Sequence, residues 1–381
     1  MYKIFFLIVI SFFMMPISVL GMNSSELISN NTTSAILVEE STGQVLFEKN
    51  KNKEVAVASM TKMMSQIIIL ESIEAGTIKW NDIVTVSKNA SDMGGSQIYL
   101  QVNEKMSVRD LFKGISMASA NDATVALAEY IAGSEENFVK IMNKKIKTLG
   151  LKNTHFENST GLDENNHYSS AFDMGIIARE LLTHEAILKF SSVYEDYLRK
   201  DTPNKFWLVN TNKLVRFYDK ADGLKTGHTD NAKYCIAATA KRNNLRLIAI
   251  VLGSESAKVR NEEAAKLLDY GFNNTQYKLF FKKNQVIKNI KVVNGNKKYL
   301  KISPIRDVIF IYQKQDNIKN IKYSIKIKDI KLPIKRESII GNVIIKKKNK
   351  VIDKVPLKAN NSIRKLTFME VFFNNLKSLV Y

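Results

Sequence analysis

The chain has 381 residues, 45% of them hydrophobic, a formal net charge of +20 and a single cysteine. That length and apolar content exclude a disordered chain and leave room for two or three domains with a sizeable core. Cys235 alone excludes an internal disulfide or a thiolate cluster, and His155, His167, His184 and His228 show no ligand spacing, so no metal and no cofactor are expected.

In chain order, residues 1–21 open with Lys3, continue through the apolar run Ile4–Ile10 and close on Ser18-Val19-Leu20-Gly21. Ser11 and Pro16 interrupt the run, which therefore reads as a secretory signal peptide; an uncleaved N-terminal anchor is the competing reading, and either one exports the rest of the chain. Ser34–Glu39 and Gln44–Glu48 are β-rich runs joined through Ser41-Thr42-Gly43, a hairpin signal. A helix is expected after Ser59, with Met63, Met64, Ile67, Ile68 and Leu70 as its apolar surface and Ala75-Gly76-Thr77 as its end. From about 80 to 215 the pattern is mainly helical, with one amphipathic stretch around Val108–Gly133. Leu224–His228, Tyr234–Ala240 and Leu245–Leu252 then read as strands and Lys258–Tyr270 as a closing helix. Cys235 falls in one of these apolar strands and reads as a small core residue.

Strands at both ends of a helical segment imply an α+β fold: an antiparallel sheet flanked by helices and carrying a helical lobe, assembled from distant parts of the chain. Domains are expected over 30–275 and 276–360. The second is a small all-β domain with strands in Val286–Val293, Val308–Tyr312, Lys322–Ile327 and Val343–Ile345, and turns at Asn294-Gly295-Asn296 and Gly341-Asn342. It is basic. Residues 275–381 carry 26 Lys and Arg against 6 Asp and Glu, while residues 1–274 balance. Residues 361–381 complete the chain as a C-terminal amphipathic helix capped by Ser362, with Leu366, Met369, Phe372, Phe373, Leu376, Leu379 and Val380 on one face. Adjacent phenylalanines after a basic domain fit an interfacial membrane helix, and packing back on the β domain is the alternative.

Three short motifs carry the chemistry. Ser59-Met60-Thr61-Lys62 puts a hydroxyl and an amine one turn apart on a helix start, where backbone N–H groups favour an oxyanion and partial burial would make Lys62 a neutral base. Ser119-Ala120-Asn121 adds a second hydroxyl and an amide, suited to a proton relay and to holding a carbonyl. Lys225-Thr226-Gly227-His228 begins a strand with a cation and a hydroxyl for an anionic substrate end, and a glycine that admits close backbone approach. Each motif alone is equally consistent with an ordinary helix start, cap or solvated strand.

In this order, the motifs resemble those of the penicillin-binding serine transferases and β-lactamases. Ser119-Ala120-Asn121-Asp122-Ala123, Gly161-Leu162-Asp163, Tyr168-Ser169-Ser170-Ala171 and Asp222–Thr229 narrow the likeness to the low-molecular-weight D-alanyl-D-alanine carboxypeptidases of the penicillin-binding protein 5 type. The resemblance implies Ser59 as acyl-enzyme nucleophile, Lys62 as its base and Ser119 as the relay to the leaving group. Asn121 would orient the substrate amide, and Lys225 and Thr226 would bind the terminal carboxylate, with Arg260 nearby. The Ser59 and His228 N–H groups would form the oxyanion hole beside Gly227. The implied substrate is a peptidoglycan pentapeptide ending in D-Ala-D-Ala, the implied inhibitors are β-lactams, and the implied place is the outer face of the cytoplasmic membrane, on the periplasmic side. The chain departs from the family where Phe172 replaces an arginine of many relatives and Thr211 an arginine of some, which removes positive charge near the lobe.

Endopeptidase or transpeptidase action on cross-linked peptides is the nearest alternative, because only the leaving group or the acceptor changes. A class A β-lactamase would need a carboxylate to drive deacylation. Glu157 and Glu164 are available between the motifs but lack the Glu-x-x-Leu-Asn pattern. A non-catalytic wall-binding scaffold would account for the basic C-terminal region. Nucleic-acid binding is disfavoured by the export signal and by the lack of interleaved aromatics.

Overall fold

The computed structural model describes residues 27–314, 318, 320–347 and 349–371. The expected signal peptide lies outside them. The central sheet has five antiparallel strands: β1 (Ser34–Glu39), β2 (Val45–Lys49), β3 (Ala221–Thr229), β4 (Lys233–Arg242) and β5 (Leu245–Ser254), in the order β2-β1-β5-β4-β3. The N-terminal hairpin thus docks on strands from far along the chain, with Ser34 opposite Leu252 and Leu37 opposite Ala249.

Both faces of this sheet are covered, so its strands read as apolar runs. Period-2 alternation divides them into two layers. Ile36, Val38, Ala237, Ile248, Ile250 and Leu252 face the helical lobe. Ala35, Leu37, Ile236, Ala238, Leu247, Ala249 and Val251 face the closing helix.

The lobe is built from α1 (Lys62–Glu74), α2 (Val108–Ala118), α3 (Asn121–Ala132), α4 (Glu135–Leu149) and α5 (Ala171–Thr183), and the closing helix is α6 (Ala257–Asn274). Helix α1 is buried on every side through Leu70, not along one apolar surface as its sequence suggests. Its polar residues are satisfied inside: Ser65 Oγ donates to the Ser159 carbonyl (2.7 Å) and Gln66 Nε2 to Ser116 Oγ (2.7 Å). The expected single stretch Val108–Gly133 is two helices. Ser119 takes a left-handed conformation (φ 64°) that ends α2, and extended Ala120 precedes α3. Short strand pairs, Ile83–Thr85 with Lys105–Ser107 and Glu195–Leu198 with Phe206–Val209, interrupt the region read as mainly helical.

After α6 the chain turns into β6 (Thr275–Phe281), β7 (Lys288–Lys291), β8 (Tyr299–Pro304), β9 (Val308–Gln313), β10 (Ile321–Ile327), β11 (Ile339–Lys347) and β12 (Lys350–Ala359). Strands β7-β8-β12-β11-β10 form an antiparallel sheet, and β6 pairs with β9. Leu300, Ile302, Val343, Ile345, Val355 and Leu357 form the core of this all-β unit. Ile309 and Ile311 of β9 instead join the layer beneath α6, so apolar packing is continuous across the junction. The turn expected at Gly341-Asn342 lies within β11, because Gly341 pairs with Ile327 on one side and Leu357 on the other. A Cβ there would stand 2.3 Å from the Lys326 carbonyl oxygen, so the glycine serves close strand approach.

The C-terminal helix does not start at Ser362. Ile363 bridges to Ile334 and Lys365 to Gly295, which keeps this stretch extended, and the Ser362 hydroxyl accepts from the Arg336 N–H. Helical residues begin at Phe368 after Thr367, and residues 372–381 of the expected helix lie outside the described residues. Among the described residues no helix is long and apolar enough to cross a membrane.

Candidate active site

Ser59 sits on a 3-10 turn, Ala58–Thr61, that runs directly into α1. Ala58 has φ 47°, a strained value for a residue with a Cβ. Packing on two sides holds it there. A Cβ on Gly161 would lie 1.9 Å from the Ala58 carbonyl oxygen, and one on Gly227 would lie 2.6 Å from the Val57 carbonyl oxygen. Two glycines therefore let a loop of the lobe and strand β3 close on the turn that carries Ser59.

Lys62 is fully buried, and its Nζ lies within hydrogen-bond reach of Ser59 Oγ (2.8 Å) and donates to the Thr160 carbonyl (2.6 Å). Burial holds its pKa well below the ordinary lysine value, and the nearby charge of Lys225 lowers it further, against Asp122 and Glu135. A neutral Lys62 amine can accept the Ser59 proton. Ser59 itself is half-buried at the surface of this pocket.

The break between α2 and α3 brings Ser119 and Asn121 in as buried side chains. Asn121 is anchored by its N–H to the Ser96 carbonyl (2.7 Å) and by Nδ2 to the Gly94 carbonyl (2.7 Å). Its Oδ1 and the Ser119 hydroxyl have no hydrogen-bond partner among the described residues, and substrate could satisfy both. Asp122 stands behind them and accepts from the N–H groups of Ile98 (3.1 Å), Leu100 (3.0 Å) and Ala123 (2.8 Å). It fixes the 94–100 loop against α3.

Strand β3 supplies the third wall. Lys225 is fully buried with Nζ on the Thr226 carbonyl (2.9 Å). Burial first, and then the Arg260 guanidinium, bring its pKa down to about 7. Arg260, on α6, is buried too and holds Asn261 Oδ1 (3.0 Å), so the structure places it within electrostatic reach of Lys225. The Thr226 hydroxyl donates to Thr211 Oγ1 (2.8 Å). His228 is exposed and its ring lies 4.1 Å from that of Tyr234.

No sequence signal marked Thr160 or His167 as parts of this arrangement: the first acts through its carbonyl, and the second through a side chain that meets its partners only in the fold. Thr211 stood out in the sequence only as the replacement of an arginine, and its contact with Thr226 shows only in the fold. Glu157 and Glu164 are exposed on the loop, and Glu157 bonds Asn166 Nδ2 (3.2 Å). Elsewhere, a ring nitrogen of His184 and an oxygen from each of Glu71 and Glu180 lie within 4.8 Å of one another. The Lys145 ammonium already bridges the two carboxylates there, 2.7 Å from Glu180.

Comparison with known proteins identifies the family. Residues 22–256 match the peptidase S11 family model, described as D-alanyl-D-alanine carboxypeptidase, and residues 276–365 match the C-terminal domain of penicillin-binding protein 5. The D-alanyl-D-alanine carboxypeptidase DacF of Bacillus subtilis is 46% identical over 350 residues, covering 92% of this chain and 90% of its own. The structure of penicillin-binding protein 5 from Haemophilus influenzae superposes with a TM-score of 0.69 at 32% identity, over 88% of this chain and 98% of that one. Penicillin-binding protein D2 from Listeria monocytogenes, in its ampicillin-bound form, does so with a TM-score of 0.58 at 30% identity, over 64% and 98%. The chain belongs to the peptidase S11 family of D-alanyl-D-alanine carboxypeptidases and carries the C-terminal domain of the penicillin-binding protein 5 type.

Proposed function

We propose that this protein is a serine-type carboxypeptidase that removes the terminal D-alanine from peptidoglycan pentapeptides through an acyl-enzyme on Ser59. The observation that carries the reading is the 2.8 Å contact between Ser59 Oγ and a fully buried Lys62 whose charged form is disfavoured. Lys62 Nζ takes the Ser59 proton as Oγ attacks the carbonyl carbon of the penultimate D-Ala. The Ser59 and His228 N–H groups receive the oxyanion, while Asn121 orients the substrate amide. Ser119 passes a proton to the leaving nitrogen, the C–N bond breaks and D-alanine departs. Water then attacks the ester, which releases the tetrapeptide and restores the Ser59 hydroxyl. Lys225, Thr226 and Arg260 hold the substrate's terminal carboxylate, and Gly227 leaves room for the backbone beside it.

β-Lactams present a strained amide to the same serine and acylate it; the Listeria relative's ampicillin-bound form supports this. Residues 30–275 act as the catalytic domain and 276–360 as a basic spacer drawn to anionic headgroups or wall polymers. Residues 361–381 associate with the outer face of the cytoplasmic membrane after residues 1–21 have directed export to the periplasmic side.

The test incubates the purified protein with a muropeptide pentapeptide and follows products by mass spectrometry. D-Alanine release with accumulation of the free tetrapeptide supports the reading, whereas D-alanine release that ends in cross-linked dimers, or cleavage of added dimers without any D-alanine release from the pentapeptide, refutes it. In parallel, Ser59→Ala must abolish labelling by fluorescent penicillin; undiminished labelling would show that another residue is the nucleophile.

A further inference from the structure

His167 is buried at 6% exposure in the loop that leads from Thr160 to α5, yet none of the motif assignments uses it. Its ring bridges two groups. Nδ1 lies 3.2 Å from the Glu157 N–H, which can only donate, so Nδ1 carries the lone pair and Nε2 the proton. Nε2–H then donates to Thr61 Oγ1 at 2.8 Å. Thr61 stands between Ser59 and Lys62 and is itself fully buried.

The loop's base is fixed independently of the ring. Val55 and Ser169 exchange backbone hydrogen bonds (2.9 and 3.0 Å), as do His155 and Tyr168 (3.0 Å each). From that base the loop touches the Ser59 turn three times: the Thr160 carbonyl on Lys62, Gly161 against Ala58, and His167 on Thr61. A turn strained at Ala58 keeps its shape only if its surroundings over-determine it. His167 is the one side chain among these three contacts.

We propose that His167 is a positioning residue for acylation: its Nε2–H, delivered to Thr61, keeps the Ser59–Lys62 turn in the shape that sets hydroxyl and amine in contact. Burial supports this by pushing the imidazole down to about 4, with His155 and Lys62 adding to the fall and Glu157 opposing it. The ring is therefore neutral at pH 7, as the two contacts require. The Phe156 ring also lies against the imidazole, 5.2 Å away, and carries no charge.

The proposal rests on Ser59 being the nucleophile, and the test separates the two claims. Limiting acylation rate and binding constant are measured with fluorescent penicillin on the full-length chain and on His167→Gln, His167→Asn and His167→Leu. A glutamine amide reproduces the Nε2 donor, and an asparagine carbonyl reproduces the Nδ1 acceptor. His167→Gln retains the limiting rate, while His167→Asn and His167→Leu lose it about fivefold, the worth of one hydrogen bond, with the binding constant unchanged. In a Thr61→Val background His167→Leu costs nothing further. Rescue by Asn and not Gln would overturn the proposal, because the ring would then serve only the Glu157 N–H. Equal rates in all variants, or a loss confined to the binding constant, would overturn it as well. The Gln–Asn comparison stands even if the Leu variant fails to fold. Unlabelled Ser59 in the parent chain would instead refute the nucleophile assignment itself.

Discussion

Gly227→Ala tests whether the Ser59 turn is positioned by strand β3. The added Cβ would meet the Val57 carbonyl oxygen at 2.6 Å, and Ala58 Cβ and the Met60 nitrogen at 3.2 Å each. Two of these three atoms are backbone, so no flexible side chain can swing away. The strand and the turn must separate by roughly 0.5 Å, at an overpacking cost of about 2 kcal/mol. For a domain of this size that corresponds to a melting temperature lower by about 5 °C. Because a 1 Å misplacement of reacting groups costs about a hundredfold, half of that predicts an acylation rate lower by about tenfold. Fluorescent-penicillin acylation, read beside thermal melting, measures both effects. Gly76→Ala is the control: it has φ 76° but open space around the new Cβ, so it loses stability without losing rate. If Gly227→Ala acylates like the parent, or if both variants lose rate equally, then close packing of β3 does not set the geometry of Ser59.

The buried Lys225 predicts a pH effect. Its folded pKa of about 7 lies below the ordinary 10.5, so the unfolded chain binds the extra proton between these values and this group's contribution to stability rises with pH across that window. Lys225→Met flattens the rise in urea-unfolding free energy from pH 7 to 10; an unchanged slope would contradict the burial argument. Arg246 makes a two-pronged contact with Asp222 (2.7 and 2.8 Å) at the edge of the same strand, largely out of solvent. Arg246→Ala therefore costs about 2 kcal/mol by leaving that carboxylate unpaired, and a melting temperature within 1 °C of the parent, roughly below the resolution of such a shift, would refute this. Burial raises the Cys235 thiol to about 11 and seals it in β4. Ellman's reagent should react with it only after denaturant is added, and prompt reaction in the native state would show that β4 opens.

Much of the central sheet was legible because its strands are apolar runs bounded by turn residues, and the three motifs with their flanking residues were enough to point to the family. What escaped depended on partners distant in sequence. Gly341 looks like a turn until its two neighbouring strands are known, and then it is a strand residue with no room for a Cβ. Ser119 looks helical because apolar spacing continues past it; the left-handed break shows only where the chain must turn its hydroxyl into the pocket. Helix α1 gave a one-sided apolar pattern because Ser65 and Gln66 are polar, and their burial depends on acceptors at Ser159 and Ser116. Ser362 looked like a helix cap, but a backbone donor from Arg336 claims its hydroxyl.

The sheet order also sets when the pocket can exist. A chain emerging from its N-terminus presents Ser59 and Lys62 early, but β1 cannot be flanked by β5 until Leu252 has appeared opposite Ser34. Strand β3, whose Gly227 presses on the Ser59 turn, reaches β1 only through β4 and β5. Long-range closure of this kind is slow and comes after local helix formation. A partly emerged chain thus carries the whole first motif yet has no wall behind it, and competence to acylate arrives as a late, all-at-once event once residue 254 is free to pair.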